Sequence, residues 1–168
     1  MNGTFAPTAV IRRAAVADLT EVAALEKLCY SDPWGASAFA ALPDNPAVYF
    51  AVARSASEGP LLGYAIAWHV IDEAELANLA VEPGSRRAGI GAQLLDATLE
   101  NARRESVKRV YLEVRESNEA ARRLYASREF SEVGRRKKYY RSPDEDALIL
   151  RRELNGMAPA VREVAARK

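Results

Sequence analysis

The chain has 168 residues, 49% of them apolar and 28% charged, and its 24 Lys and Arg against 23 Asp and Glu leave a formal net charge of +1. That length suffices for one domain with its own core, and the composition is that of a globular protein rather than a disordered or membrane-embedded one. A charge so near zero gives no general field for nucleic acid or an anionic membrane, and a single cysteine (Cys29) with a single histidine (His69) excludes a disulfide framework and a Cys/His zinc site, so no metal is expected.

The start, MNGTFAPTAVIRRAAVADL, lacks a basic leader followed by an apolar core and a cleavage site. No stretch reaches the roughly 18 apolar residues of a membrane span, so a cytoplasmic protein is expected. Ala9 to Ala14 reads as a short first strand. DLTEVAALEKLCY puts Leu19, Val22, Ala23, Leu25 and Leu28 on one helical face, with Asp18 and Glu21 as a capping pair, and Cys29 reads as a small buried hydrophobe. After the turn signal SDPWG a brief helix is expected over Ala36 to Leu42. AVYFAVA and LLGYAIAWHV read as strands separated by the turn RSASEGP.

AELANLAVE continues as a strand that Pro83-Gly84 ends, and Gly89 to about Arg104 reads as a helix with Leu94, Leu95, Leu99, Ala102 and in part Ala97 inward. KRVYLEVRE is the next strand and NEAARRLYASRE the next helix, with closing strands near Phe130 to Arg136 and Ala147 to Arg152. The order β-α-α-β-β-β-α-β-α-β-β describes an α/β (α+β) fold: a mixed, mainly antiparallel sheet flanked by helices, whose central strand-helix-strand unit is parallel and right-handed. A single domain is expected over residues 1–154, and 155–168 reads as a flexible, dispensable tail.

The stretch SRRAGIGAQLL carries the first chemical signal. A strand ending at Val81 or Glu82, a turn through Arg-Arg-Ala-Gly-Ile-Gly and then a helix aim unpaired N–H groups and the positive end of a helix dipole at one point, which is an anion site. Gly89 and Gly91 remove side chains that would keep a phosphate from the amides, and Arg86 and Arg87 supply charge. A P-loop would need Gly-Lys-Ser/Thr, and a dinucleotide fingerprint a third glycine and a distant acid; neither is present.

Arg86-x-x-Gly89-x-Gly91 after a strand resembles the pyrophosphate-binding motif of the GNAT superfamily of N-acetyltransferases, which bind acetyl-coenzyme A. The resemblance runs from about Ala9 to Leu154. DEAELANLAVEP, RRAGIGAQLL, YLEVRESNEAARRLY and KKYYRSPDEDALIL look like its peptide N-terminal branch, the bacterial ribosomal-protein-alanine N-acetyltransferases. It implies the GNAT fold and acetyl-coenzyme A as cosubstrate, bound by Arg86, Arg87, Ala88, Gly89, Ile90, Gly91 and Ala92 around the diphosphate. It also implies two central strands parted so that the pantetheine arm runs along Leu79, Ala80 and Val81, with the backbone of Ala80 or Val81 polarising the thioester, and a coenzyme contact from Asn118.

Alternation in VYLEVRE puts Val110, Leu112 and Val114 on one face and Tyr111 and Glu113 on the other. By pattern alone Glu113 is a solvent-facing residue or a group that meets a substrate; the resemblance implies a general base. Asn118, Arg122 and Tyr125 fall at i, i+4 and i+7 on one side of a helix. Tyr125 alone reads as a core aromatic; the resemblance implies the general acid that protonates the departing thiolate. Tyr139 and Tyr140 in RRKKYYR are either packed strand-end aromatics or, by resemblance, part of the peptide slot, and Trp34 in SDPWG is a hydrophobic anchor or a substrate-side residue.

One departure is SREF, where Glu129 stands in place of a glycine found in most relatives; a side chain there resists positive φ and predicts a differently shaped helix exit. The implied activity is acetylation of the N-terminal α-amine of a protein, an alanine-starting small-subunit ribosomal protein, by direct attack in a ternary complex, with no nucleic-acid or membrane partner. Lysine or small-molecule amines as acceptors, and a coenzyme-responsive binding module without turnover, are the competing readings.

Overall fold

In the computed structural model, residues 8–154 are described. The elements are β1 (Val10–Arg13), α1 (Leu19–Cys29), β2 (Val48–Arg54), β3 (Leu61–Val70), β4 (Glu73–Val81), α2 (Ile90–Arg104), β5 (Arg109–Arg115), α3 (Glu119–Ser127), β6 (Ser131–Tyr140) and β7 (Glu145–Glu153). The brief helix expected over Ala36 to Leu42 is instead a 3-10 turn at Ala36–Phe39, carried on to Leu42 by bonds between residues three apart. Only Phe39 and Leu42 of that stretch are buried, too narrow an apolar stripe to hold a longer helix. The expected tail at 155–168 lies outside the described residues.

The strands form one sheet in the order β1-β2-β3-β4-β5-β7-β6, and every pair is antiparallel except β4 with β5. The parallel pair is the one joined through α2, as two parallel neighbours require a crossover. Both faces of the centre are covered, so β2 and β3 read as apolar runs rather than alternating ones. Residue size differs between the faces. Ala51, Ala53, Ala65 and Ala67 lie on the side of α2, where they share a core with Leu94, Leu95 and Leu99. Phe50, Val52, Tyr64 and Ile66 share the other core with Val22, Leu25 and Phe39. Apart from Tyr49, small side chains of β2 and β3 thus meet the long helix α2, and larger ones meet the shorter α1.

β4 carries the fold's decisive irregularity. Against β3, Ile66 faces Asn78 and Ala67 faces Leu76, so Ala77 is an extra residue, a β-bulge. The slip reverses alternation: Ala74 and Leu76 belong to the α2-side core, while Ala80 joins the α1-side core and Leu79 and Val81 take over the α2 side. At the same point the ladder with β5 ends, its last pair being Leu76 with Leu112. Gly63 in β3 is required where β4 closes in, because a Cβ there would stand 2.5 Å from the Ala80 carbonyl oxygen and 3.0 Å from Leu94.

Two expectations for α1 are corrected. Leu28 is exposed, and the inward face holds Val22, Ala23, Leu25 and the buried Glu26. Asp18 and Glu21 do not form a capping pair for α1. The buried Asp18 carboxylate accepts the Ala15 N–H at 2.7 Å and pairs with Arg12 at 2.7 Å and Arg54 at 2.6 Å, while Glu21 joins Arg54 at 2.9 Å. Arg54 is itself buried, so its charge depends on these partners.

Asp18→Asn should therefore destabilise the fold by about 3–5 kcal/mol in chemical denaturation, because it leaves a buried guanidinium short of its anion. Hydrogen bonds from Arg12 lower the Asp18 pKa below its ordinary 3.8. A depressed folded value means that the stabilisation is complete above the unfolded pKa and is lost as pH falls below it. Acid titration of thermal stability should show this loss in the wild type and a weaker one in Asp18→Asn.

Candidate active site

Beyond Leu76 and Leu112 the two central strands part, and the edge of β4 that would have faced β5 needs other partners. Glu82 N–H donates to Leu62 O at 2.8 Å, so by alternation Ala80 also turns its backbone toward β3, and Leu79 and Val81 turn theirs into the opening. Their carbonyls are met by side chains. The Tyr30 hydroxyl donates to Leu79 O at 3.0 Å, and Val81 O lies 3.6 Å from Cys29 Sγ and 3.2 Å from Arg86 Nε. Of Ala80 and Val81, only Val81 has its N–H and C=O on the open edge. Burial raises the Cys29 thiol pKa, which keeps it an inert neutral group.

The turn from β4 to α2 follows at once. Glu82 accepts from Gly84 N–H at 2.9 Å and Ser85 Oγ at 2.8 Å, Arg87 has φ 64° and Gly89 φ 77°. Gly89 is the N-cap of α2 with no side-chain cap, and the helix's first bond runs from Gln93 N–H to Gly89 O at 3.0 Å. The N–H groups of Ile90, Gly91 and Ala92 thus lack helical acceptors. Ile90 buries its side chain in the core and offers only backbone, Ala88 packs at the core's margin, and Arg87 is exposed. Arg86 is folded back on Val81 and Cys29 rather than across the turn. A Cβ on Gly91 would meet Leu124 and Val81 at 3.5 and 3.6 Å, ordinary contacts, so the protein alone does not demand glycine there.

On β5 the expected alternation holds: Val110, Leu112 and Val114 are buried against α2, and Tyr111, Glu113 and Arg115 occupy the opposite face. The half-buried Glu113 carboxylate pairs with Arg136 Nε at 2.7 Å. A hydrogen bond with Glu113 is the main reason the Tyr139 phenol pKa is raised, followed by burial. Tyr140 packs edge-on against Tyr139 with centroids 5.1 Å apart and lies 4.3 Å under the Arg115 guanidinium. Burial, then the Glu113 charge, pushes Tyr140 up to about 12. Glu113, Tyr139 and Tyr140 are therefore brought together.

Tyr125 is buried near the end of α3, and burial followed by the nearby Tyr140 raises its pKa. Tyr125 in turn raises Tyr30, after the larger effect of burial, so the three phenols lie within mutual electrostatic reach. Among the described residues the Tyr125 hydroxyl has no hydrogen-bond partner. The helix exit sets its place: Phe130 N–H donates to Tyr125 O at 3.1 Å and Glu129 N–H to Ala126 O at 3.0 Å, a Schellman arrangement with the Phe130 ring 5.8 Å from the Tyr125 ring. Glu129 adopts φ 63°, so the differently shaped exit expected from its side chain does not occur. A left-handed conformation costs a non-glycine residue roughly 1–2 kcal/mol, which the two exit bonds and the aromatic contact offset.

The other expected residues lie on the margins. Asn118 is exposed and caps α3, its Oδ1 accepting Ala121 N–H at 3.2 Å; Arg122 is exposed and bonds Glu116 O, so these two do not share the buried side of Tyr125. Trp34 packs on Phe39 with centroids 5.7 Å apart, as an anchor of the loop after α1. Tyr30, Arg115, Arg136 and Glu26 were not singled out by the sequence. Glu26 accepts Trp34 N–H at 2.9 Å, Asn78 Nδ2 at 3.0 Å and the Tyr64 hydroxyl, tying the loop to the bulge of β4. Its signal was available: an acid on the same helical face as Val22 and Ala23.

Three comparisons bear on this arrangement. The model of the Acetyltransferase (GNAT) family matches residues 19–130. The chain is 35% identical over 135 residues to the [ribosomal protein bS18]-alanine N-acetyltransferase of Escherichia coli, covering 79% of this chain and 89% of that protein. It is 31% identical over 144 residues to the protein of the same name from Haemophilus influenzae, covering 84% and 96%. The crystal structure of the ribosomal-protein-S18-alanine N-acetyltransferase from Escherichia coli matches with a TM-score of 0.81 at 31% identity, over 92% of this chain and 98% of that one.

Because the Tyr125 hydroxyl makes no hydrogen bond among the described residues, Tyr125→Phe should leave unfolding free energy within about 0.5 kcal/mol of wild type. Phe130→Ala, which empties the contact that seats the ring, should cost about 3–5 kcal/mol on the same denaturant curves.

Proposed function

The chain belongs to the acetyltransferase (GNAT) family, and we propose that it moves acetyl from acetyl-coenzyme A to the N-terminal α-amine of a protein, an alanine-starting small-subunit ribosomal protein, by direct attack in a ternary complex. The observation that carries this reading is the parting of β4 from β5. It leaves a strand-shaped opening with the uncapped start of α2 at one side and Glu113, Tyr125, Tyr139 and Tyr140 at the other. That opening fits the long, hydrogen-bonding pantetheine arm, and the free N–H groups of Ile90, Gly91 and Ala92 fit a diphosphate. When bound, acetyl-coenzyme A supplies an activated acetyl thioester.

Each residue's part follows from its place. Gly89 gives the turn its positive φ, Ala88 seats it on the core, and Arg86 and Arg87 supply charge once Arg86 swings off Val81. Leu79 and Val81 offer the pairing edge, with Ala80 anchoring it to β3 and Val81 N–H available to polarise the carbonyl. Asn118, at the start of α3, adds a coenzyme contact. Tyr139 and Tyr140 wall the slot for the first peptide residues, with Trp34 on the loop opposite.

Glu113 accepts the proton that leaves the amine as the C–N bond forms. A free α-amine has a pKa near ~8, so a neutral fraction exists at physiological pH and the base need not be strong. Tyr125, kept protonated by burial, donates toward the sulfur as the C–S bond breaks. The raised thiol pKa of Cys29 argues for direct attack rather than an acyl-cysteine route. No helix among the described residues is long and apolar enough to cross a membrane, and the cytoplasm, where ribosomal proteins are made, is the compartment this acceptor requires.

The test is acetyl transfer to alanine-starting peptides with free or blocked N-termini: transfer to the free peptide alone is expected, and undiminished transfer to the blocked one would overturn the α-amine assignment. Tyr125→Phe should lower kcat by about 10²-fold or more with coenzyme affinity intact, and Glu113→Gln by about 10²-fold, most deeply below the pKa of the amine. Gly89→Val, which cannot keep φ 77°, should weaken acetyl-coenzyme A binding in calorimetry by roughly tenfold or more.

A further inference from the structure

Adjacent residues of a regular strand face opposite sides of the sheet, yet Tyr139 and Tyr140 both reach one face of β5. Tyr139 meets Glu113 and Tyr140 meets Arg115, two residues apart on that face. The register explains how. Arg136 pairs with Ala147 and Tyr140 with Glu145, so Lys137, Lys138 and Tyr139 stand opposite Asp146 alone. Lys138 has φ 52°, and its N–H donates to Asp146 Oδ1 at 2.9 Å. Asp146 Oδ2 accepts from Arg135 at 3.3 Å, and Arg135 is itself gripped by Glu116 at 2.9 and 3.0 Å.

We infer that Asp146 is a positioning residue for the acceptor slot: its carboxylate takes the place of the missing ladder bond, holds Lys138 left-handed and so brings two consecutive tyrosines onto the Glu113 face. It acts through Tyr139 and Tyr140 and touches no substrate. Its neighbour Glu145 accepts Ser117 N–H at 2.6 Å ahead of the α3 cap and Arg115 at 3.4 Å, the guanidinium that covers the Tyr140 ring. Asp146 is the carboxylate that reaches the bulge at Lys138, so its loss is expected to act on acceptor binding through the two tyrosines. The inference rests on the proposed peptide acetylation.

The experiment compares wild type, Asp146→Ala, Asp146→Asn and the double variant Asp146→Ala with Lys138→Gly, all as the full chain. Asp146→Ala should raise KM for an alanine-starting peptide roughly tenfold, as expected for a misplaced slot, with acetyl-coenzyme A affinity unchanged. Asp146→Asn, whose Oδ1 still accepts the Lys138 N–H, should recover most of the loss, and so should the double variant, in which glycine adopts the positive φ unaided. An unchanged peptide KM in a folded Asp146→Ala protein, or an equal loss of coenzyme affinity, overturns the assignment. Near-ultraviolet circular dichroism of the Tyr139–Tyr140 pair reads the geometry without turnover. If wild type acetylates no free peptide yet Asp146→Ala still loses that signal, the functional reading has failed and the positioning has not.

Discussion

The pairing of β4 with β5 stops after four residues, and the arrangement of the site follows from that stop. Backbone donors and acceptors freed in a protein interior need partners. Here the acceptors on the open edge are met by one phenol, one thiol and one guanidinium, all borne by segments outside the sheet. Side chains are exchangeable partners in a way that a strand is not. An extended ligand entering the opening can replace them bond for bond, so the desolvation that would otherwise oppose its entry is largely met in advance.

What keeps the strands apart is the bulge at Ala77 and the buried carboxylate that secures it. Among the described residues no cation pairs with Glu26; Trp34, Asn78 and Tyr64, donors from three parts of the chain, satisfy it instead. A buried carboxyl group held by three oriented donors tolerates little displacement of any of them, since each lost donor leaves a buried polar oxygen unsatisfied. The result is a rigid corner joining α1, the loop at Trp34 and the slipped half of β4. Small residues on the α2 face of β2 and β3 serve the same end from the other side, letting α2 sit low enough for its first turn to open beside Val81.

Much of this was legible in the sequence because it depends on periodicity. Strands β2 to β5 and helix α2 announce themselves by spacing, Gly89 by the room it leaves for an anion at a helix start, and Glu113 by its place among apolar neighbours. What was not legible depends on register and on charges distant in the chain. Asp18 read as a cap because the motif is local, whereas its partner Arg54 is brought to it by the pairing of β1 with β2. Leu28 fitted an apolar stripe that the helix does not bury that far. Glu129 was expected to reshape a turn whose two backbone bonds and aromatic contact outweigh its strain. The paired tyrosines were visible as letters, but only the register of β6 against β7 shows that both face one way.

The ion pair of Glu113 with Arg136 gives the proposed reaction its final feature. As the proposed base Glu113 must first attract the peptide terminus, and here Arg136 and Tyr139 satisfy it. Arg136 is more than half exposed and stands 5.4 Å from the Tyr139 ring, so its guanidinium can leave for solvent at little electrostatic loss. A peptide amine entering between the tyrosines then exchanges one cation for another at the same oxygen, and the site never holds an unpaired charge. A neutral blocked terminus offers no such exchange: it would have to displace Arg136 and leave Glu113 uncompensated. In the proposed reaction, discrimination for a free terminus would thereby be set by the ion pair that Glu113 already makes.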